Sequence, residues 1–296
     1  MIIKNASIYT EDHTFVKGNA VVENGRFVSF SDFPEQDDQI VDAQGLYMIP
    51  GLVDIHFHGC MGADMCDGTK EALDIIRNKK ILADFIEKEC PGTQSIPTEM
   101  LRDIKELEWD FPVVCKPYNG RSSQGLRYIY NKEEWDEFVL TADKEVYIVE
   151  PFIEGPLVMV EIVRQDDPHK VVAMTRRELI STPHGCSTTV HVYKDEELEE
   201  NSKILADKLN VLGDVNFEYI LDKNGTYHFV ECNPRFSAGC EFSCMAGYDY
   251  VENHMKCFMN KEIEDCHFKH NMIVARKYEE YITATDIDVE YGNTCH

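Results

Sequence analysis

Two glutamates on either side of a predicted hairpin turn are the residues best suited to chemistry. Glu218 and Glu231 each lie in a run of strand-forming residues, and Asn224-Gly225 separates the two runs. Asn-Gly suits a two-residue type I′ turn, because both central residues of that turn need a positive φ. With this turn Lys223 pairs with Thr226, and counting outward along the strands sets Glu218 opposite Glu231. The spacing therefore predicts two carboxylates on one face of a hairpin.

A cation is the simplest partner for carboxylates paired in this way. Like charges paired across strands repel, so either a cation lies between Glu218 and Glu231 or one carboxyl group stays protonated. The same register sets Asn216 opposite Asn233, and two carboxylates with an amide oxygen suit Mg²⁺, with Mn²⁺ as the alternative ion. Arg235, on the same face as Asn233, would add a guanidinium fork for a phosphate. A surface hairpin with solvated acids is the alternative interpretation.

The hairpin belongs to a chain of 296 residues, which can hold one large domain or two ordinary ones. Its 54 acidic and 29 basic residues give a net charge of −25, which argues against nucleic acid or an anionic membrane as a partner. No apolar run reaches the roughly 20 residues that span a bilayer, and no secretory signal is recognisable. We expect a cytoplasmic protein.

The eleven cysteines are not expected to form disulfides, because their number is odd and a secretory signal is not recognisable. The sequence has no C-x-x-C pair, which argues against a structural zinc site. Most of these cysteines are expected to be small buried thiols.

Residues 1–77 differ in character from the rest. Short β-forming runs are followed by His56 and His58, whose i, i+2 spacing on a strand projects both imidazoles to one side. Pro50 to Gly59 and Gly62 to Thr69 resemble the start of the amidohydrolase superfamily, specifically the N-acetylglucosamine-6-phosphate deacetylases. The barrel of that family needs eight βα units over about 250 residues, and only its first strand fits here. We expect a truncated fragment that carries half of a metal site.

The join between the two pieces lies within residues 69–88. The apolar spacing there marks helical stripes, and the pattern is compatible with a single helix that runs through the join. From Asn78 onward, helical and strand patterns alternate.

Three segments of this second piece have features that suit a nucleotide. Phe111–Pro117 is a predicted strand that ends near Lys116, whose ammonium can contact a phosphate. The loop from Gly120 to Gly125 contains small residues, which let backbone N–H groups close over phosphates. In Glu145–Pro156, proline and glycine interrupt a strand and leave backbone groups free to bind an adenine edge.

In this order the motifs of residues 78–280 resemble the ATP-grasp superfamily, and within it the carbamoyl-phosphate-synthetase-like carboxylate–amine ligases. The resemblance implies an α+β fold in which two subdomains clasp ATP and Mg²⁺, over residues 78–283, with a polar tail at 284–296. It also implies a role for each matching residue: Lys80 and Lys116 at the ATP phosphates, Gly120, Ser122, Ser123 and Gly125 in a lid, Glu150, Phe152 and Ile153 around adenine, Glu218, Glu231 and Asn233 at Mg²⁺, and Arg176 and Arg235 at the transferring phosphoryl group.

The implied reaction joins a small-molecule carboxylate to an amine. The carboxylate attacks the γ-phosphate to give an acylphosphate, from which the amine displaces phosphate; positioning and charge neutralisation supply most of the catalysis. A metal-dependent amidohydrolase and an ATP-binding module without catalysis are the alternatives.

The chain departs from the family at Leu157, where many members have an acid for the ribose hydroxyls, and Glu154 and Glu161 are the candidate substitutes. The amidohydrolase-like piece also stands in place of the domain that precedes this module in the family, which puts turnover in question.

Overall fold

The computed structural model describes residues 2–9, 15–23, 26–29, 40–48, 70–120, 124–182, 187–259, 261–267 and 271–277. The motif that contains His56 and His58, the lid serines Ser122 and Ser123, and the polar tail lie outside the described residues. The chain divides into two compact units, Met1–Asp54 and Ile55–His296.

The first unit contains one small sheet, in which the β-forming runs predicted from the sequence form strands. The strand order is β3-β2-β1-β4, and β5 also pairs with β1. Ala6, Ile8 and Ala43 form its buried core. The strands are β1 (Ile2–Tyr9), β2 (Phe15–Glu23), β3 (Arg26–Ser29), β4 (Ile40–Asp42) and β5 (Tyr47–Met48). The amidohydrolase resemblance stays a prediction, because its motif lies outside the described residues.

The second unit begins, among the described residues, with two helices rather than a single one. Helix α1 (Lys70–Ile76) ends just before Asn78, and helix α2 (Lys79–Glu89) begins just after it. The Asn78 side chain caps α2 by accepting hydrogen bonds from the backbone N–H groups of Lys80 and Ile81. An Asx cap satisfies N–H groups that a continuous helix would bond to its own carbonyls, so the chain turns here.

A four-stranded sheet with the order β7-β10-β8-β9 follows. Val113, Cys115 and Val149 pack with Trp135 in its core. Alternate residues of the central strand are buried, as expected for a sheet covered on one face. The strands are β7 (Glu99–Met100), β8 (Val113–Pro117), β9 (Arg127–Ile129) and β10 (Tyr147–Pro151), and helix α3 is Lys132–Thr141.

A larger, seven-stranded sheet has the order β16-β13-β12-β11-β14-β15-β6. Its neighbouring strands are antiparallel except for β15 and β6, which are parallel. The strands are β6 (Gln94–Ser95), β11 (Leu157–Gln165), β12 (Lys170–Ser181), β13 (Ser187–Tyr193), β14 (Gly213–Leu221), β15 (Tyr227–Asn233) and β16 (Met272–Ala275). The accompanying helices are α4 (Glu196–Leu209), α5 (Cys240–Met245) and α6 (Tyr250–Phe258).

The two faces of this sheet differ because side chains alternate along each strand. Val160 of β11 and Phe217 of β14 point to one face, where they share a core with Leu82 of α2 and Leu205 of α4. Glu218 points to the opposite face. The apolar face fixes the register, since a slip of one residue would move these core side chains to the opposite face, among Glu161, Asn216 and Glu218.

Candidate active site

The predicted hairpin is present, but its turn differs from the prediction. The loop contains three residues, Lys223, Asn224 and Gly225, because Asp222 rather than Lys223 pairs with Thr226, with an N–H to O distance of 2.9 Å. Gly225 is the loop residue with a positive φ, of 86°. The Asp222 carboxylate accepts the N–H groups of Asn224 and Thr226 at 2.8 and 2.9 Å. This Asx turn favours the longer loop, so the two-residue type I′ turn was wrong.

The predicted register of the carboxylates is nevertheless confirmed. Glu218 pairs with Glu231, and Asn216 pairs with Asn233. A register shift follows Glu218, and Val230 is the extra residue on β15. The extra residue of the bulge compensates for the extra residue of the loop. Glu218 therefore still pairs with Glu231, and both carboxylates lie on one face.

The hairpin brings two carboxyl groups together at a half-buried position. Asn233 Nδ2 donates to Glu218 Oε1 at 2.8 Å and lies 3.4 Å from Glu231 Oε1. Burial, together with the charges of Glu231 and Glu178, raises the pKa of Glu218 to about 8. Two carboxyl groups this close do not easily ionise together unless a cation lies between them. Their oxygen atoms suit a hard divalent cation, so these residues fit Mg²⁺.

Arg235 lies beside these ligands. Its Nη2 donates to Asn233 Oδ1 at 3.1 Å, and its Nη1 donates to the Phe236 carbonyl at 3.0 Å. The guanidinium is therefore held next to the predicted metal site.

The lysine that lies beside the carboxylates is Lys79, the neighbour of Lys80, which was predicted at the ATP phosphates. Lys79 Nζ lies 3.4 Å from Glu231 Oε2 and donates to the Gly120 carbonyl at 2.9 Å. Lys80 Nζ instead pairs with Asp84 at 2.7 Å on its own helix. Neighbouring helix positions point about 100° apart, so one residue decides which lysine meets the site.

The loop predicted as a lid is described at its two ends. Gly120 contacts Lys79 through its carbonyl oxygen. Gly125 has a φ of 75°, and a Cβ atom there would lie 2.9 Å from Pro117 Cγ. Glycine is therefore required at this end of the loop, both for its backbone conformation and for its close packing.

Lys116 and Glu150 occupy the four-stranded sheet and form a buried ion pair. Lys116 Nζ lies 2.8 Å from Glu150 Oε2, and the Thr98 hydroxyl lies 3.3 Å from Glu150 Oε1. Glu150 was predicted at the adenine and Lys116 at a phosphate. In this structure the two side chains pair with each other, and the adenine role of Glu150 stays a prediction.

The segment that joins the two sheets runs from Glu150 to Leu157. The Phe152 N–H donates to the Pro112 carbonyl at 3.2 Å, whereas the Ile153 N–H has no partner among the described residues. A cavity of about 590 Å³ is lined by both residues and by the hairpin turn from Leu221 to Asn224. Its volume is within the range of small-molecule pockets.

Arg176, the other predicted phosphoryl contact, is a buried residue of β12. It is 1% exposed, and its Nη1 donates to Glu161 Oε2 at 2.5 Å. Arg176 also donates to the hydroxyls of Ser237 and Ser243. The structure therefore brings Arg176 to a carboxylate rather than to an open surface.

Glu161 and Asp214 form a buried acid pair beside this arginine. Glu161 is fully buried and accepts from Arg176, from the Ser237 hydroxyl at 2.6 Å and from the Ser237 N–H at 3.0 Å. Burial and the Glu161 charge raise the pKa of Asp214 well above its usual range. Burial and the neighbouring charge therefore disfavour the ionised form of Asp214. Cys240 lies close to both acids.

The sequence interpretation missed Lys79, Asp214, Ser237 and Glu178. The i, i+2 pattern of Asp214, Asn216 and Glu218 on one strand was a usable signal, because it places polar groups in a line on one face. Ser237 gave no such signal, since its contact with Glu161 joins residues far apart in the sequence.

Known proteins resemble this chain in sequence and in fold. A family model described as ATP-grasp in the biosynthetic pathway with Ter operon matches residues 143–280. The carbamoyl phosphate synthase large chain of Saccharolobus islandicus is 24% identical over 215 residues, which cover 67% of this chain and 20% of the relative. The D-alanine–D-alanine ligase of Nitratiruptor is 35% identical over 86 residues, covering 27% of this chain and 25% of the relative.

Among solved structures, the biotin carboxylase domain of Hydrogenobacter thermophilus 2-oxoglutarate carboxylase, in complex with MgADP, superposes with a TM-score of 0.56. It is 18% identical, and the match covers 68% of this chain and 49% of that one. The chain therefore has the ATP-grasp fold, of α+β class, as the sequence predicted. It spans about a fifth of the length of the carbamoyl phosphate synthase relatives it matches. Among the described residues, no helix has the length and apolarity to cross a bilayer.

Proposed function

We propose that this chain is an ATP- and Mg²⁺-dependent ligase that joins a small-molecule carboxylate to an amine. The observation that carries the proposal is the facing pair Glu218 and Glu231, bridged by Asn233 and approached by Lys79. A cluster of acids beside a lysine suits a triphosphate whose charge is partly neutralised by a metal ion.

Each group has a defined part in this reaction. Glu218, Glu231 and Asn233 would hold Mg²⁺, which would draw negative charge from the phosphates of ATP. Lys79 and Arg235 would contact the phosphoryl group from either side. Phosphoryl transfer needs positioning and charge neutralisation more than covalent help from the protein.

The proposed reaction has two steps. An oxygen of the substrate carboxylate attacks the γ-phosphorus of ATP, the bond to the β-phosphate oxygen breaks, and ADP leaves. The amine nitrogen then attacks the carbonyl carbon of the acylphosphate. Phosphate leaves, the nitrogen loses a proton, and an amide remains.

A module that binds ATP without catalysis is the second candidate. The burial of Arg176 against Glu161 favours it, because one of the two predicted phosphoryl contacts is occupied. The amidohydrolase alternative rests on His56 and His58, which lie outside the described residues.

Calorimetry with Mg-ATP is the first test. We expect binding by the wild-type chain, and no binding of Mg-ATP would contradict both the ligase and the binding module. The ligase is then tested with a panel of carboxylic acids and amino acids, with hydroxylamine as the amine, because hydroxylamine converts an acylphosphate to a hydroxamate. ADP release with hydroxamate formation supports the ligase, and binding without either product supports the module.

Glu231→Gln supplies the matched comparison. It removes one charge from the predicted metal site and should abolish Mg²⁺-dependent ADP release. Glu197→Gln changes an exposed acid on α4 and should leave release unchanged. Wild-type activity in Glu231→Gln would show that the metal ion lies elsewhere.

A further inference from the structure

The register of the large sheet places one carboxylate between the two ends of the proposed ATP site. Strand β11 leads from the predicted adenine segment, around Ile153, toward the metal site. Its first residue, Leu157, pairs with Ile220, and Met159 pairs with Glu218. The ribose of a nucleotide that spans both ends must therefore pass over the row that contains Leu157.

Glu178 is the carboxylate of that row. On the other side of β11, Val158 pairs with Arg177, so the next pair outward in this register is Leu157 with Glu178. Residues paired across strands point to the same face, so Glu178 faces the same side as Glu218. The described strands extend the row with Val190 and Val274 on one side and with His228 and Gln94 on the other. Glu178 is therefore the only acid in it.

The surroundings of Glu178 orient its side chain. The Ser181 hydroxyl donates to Glu178 Oε2 at 2.6 Å, and the Ser187 hydroxyl donates to Oε1. The pairing of β12 with β13 shifts just after Glu178, as in a β-bulge, a device that re-aims side chains. Each carboxylate oxygen accepts more than one hydrogen bond, so both can still accept from a ligand.

The two substitutes expected from the sequence are less suitable. Glu161 is fully buried, and its oxygens are taken by Arg176 and Ser237. Glu154 belongs to the connecting segment, before the first residue of β11, and so lies outside the rows of paired strand residues that lead to Glu218.

We propose that Glu178 accepts hydrogen bonds from the ribose hydroxyls of bound ATP. The inference rests on the proposed function, since it assumes a nucleotide that extends from Ile153 to Glu218. A vicinal diol offers two O–H donors, and a carboxylate held by two serines offers two oriented acceptors. The sheet thus supplies from β12 the acid that β11 lacks at Leu157.

Calorimetry with Mg-ATP and Mg-2′,3′-dideoxy-ATP tests this assignment, because the second nucleotide lacks both hydroxyls. The wild-type chain should bind ATP about tenfold or more tightly than the dideoxy analogue, as expected for hydrogen bonds to a charged acceptor. Glu178→Ala should bind both nucleotides equally, at the wild-type affinity for the analogue. Glu154→Ala should keep the wild-type preference.

The outcomes separate the inference from the function it rests on. A Glu178→Ala variant that still prefers ATP, or that loses affinity for both nucleotides to the same extent, overturns the role of Glu178. A wild-type chain that binds both nucleotides equally also overturns it, while leaving the ATP site in place. Wild-type protein that binds neither nucleotide removes the proposed function itself. Binding of the analogue by Glu178→Ala shows that the variant is folded.

Discussion

Replacing Gly155 by alanine should weaken Mg-ATP binding far more than Mg-tripolyphosphate binding. Gly155 lies in the segment that joins the two sheets. A Cβ atom there would lie 1.9 Å from the Leu221 carbonyl oxygen and 3.1 Å from Ile220 Cγ2. The Leu221 N–H donates to the Pro156 carbonyl at 3.1 Å, so the segment and β14 are tied together at this point.

The size of the effect follows from this overlap. Real Cβ contacts stay above 3.0 Å, so the segment must retreat from β14 by at least about 1 Å. Overpacking of this kind typically costs about 1–3 kcal/mol in stability. The retreat also moves the predicted base contacts at Ile153 away from the metal site on β14. Losing one or two hydrogen bonds to a base would reduce ATP affinity by about tenfold or more.

Calorimetry with Mg-ATP and Mg-tripolyphosphate distinguishes a displaced connecting segment from a general loss of protein stability. Tripolyphosphate reaches only the metal site, so its affinity should be unchanged in Gly155→Ala. The control is Gly225→Ala, whose Cβ meets nothing within 4 Å but whose φ of 86° strains any side chain. It should lose about 1 kcal/mol in urea denaturation and keep its ATP affinity. Equal losses of ATP and tripolyphosphate binding in Gly155→Ala would refute the argument.

Two further predictions test the lysine assignment and a buried histidine. Lys79→Met should weaken Mg-ATP binding in calorimetry, whereas Lys80→Met should bind as wild type, because only Lys79 contacts Glu231; the reverse result would restore the sequence prediction. Burial lowers the pKa of His254 from 6.5 to about 4, so unfolding takes up a proton below pH 6.5. Stability is therefore complete above pH 6.5 and declines toward pH 4, by about 2 kcal/mol between pH 7 and 5. Denaturant titrations should show that His254→Gln, whose side chain can still accept the Asp214 N–H, loses about 2 kcal/mol less over that range; parallel losses would contradict this.

The register of the acidic hairpin could be predicted from sequence because two deviations offset each other. The Asp222 side chain lengthens the turn by one residue, and the bulge at Val230 adds one residue back. Glycine at 225 and alternating apolar residues signal a hairpin, but neither signals a bulge. The pairing of Glu218 with Glu231 was therefore predictable, whereas the path of the chain between them was not.

The sequence pattern alone does not tell which of the two neighbouring lysines, Lys79 or Lys80, lies beside the carboxylates. A single helix through residues 69–88 would point the two lysine side chains in one pair of directions. A new helix that begins after Asn78 points them in another. The cap at Asn78 decides between them through two hydrogen bonds. Asn-Lys-Lys is compatible with the start of a helix and with the interior of a helix. The sequence therefore contains the capping residue but does not show that it acts as a cap.

The fate of Arg176 depended on contacts that sequence spacing does not show. Its partner Glu161 lies on the neighbouring strand, and Ser237 reaches the same carboxylate from beyond β15. Whether a buried carboxylate can bind a ligand depends on how many donors already surround it. A resemblance gives the residue type at a position, but it does not give that count.

The alternation of side chains along β14 explains why an acidic site can be tolerated on the large sheet. Along β14, Val215, Phe217 and Tyr219 are buried in the core, while Asn216 and Glu218 point to the other face. Burying large apolar side chains contributes about 1.5–3 kcal/mol each, which can offset the repulsion of one carboxylate pair. The register that serves the core also fixes the distance between Glu218 and Glu231. Stability and ligand geometry are therefore set by one strand pairing, and a slip of one residue would remove both.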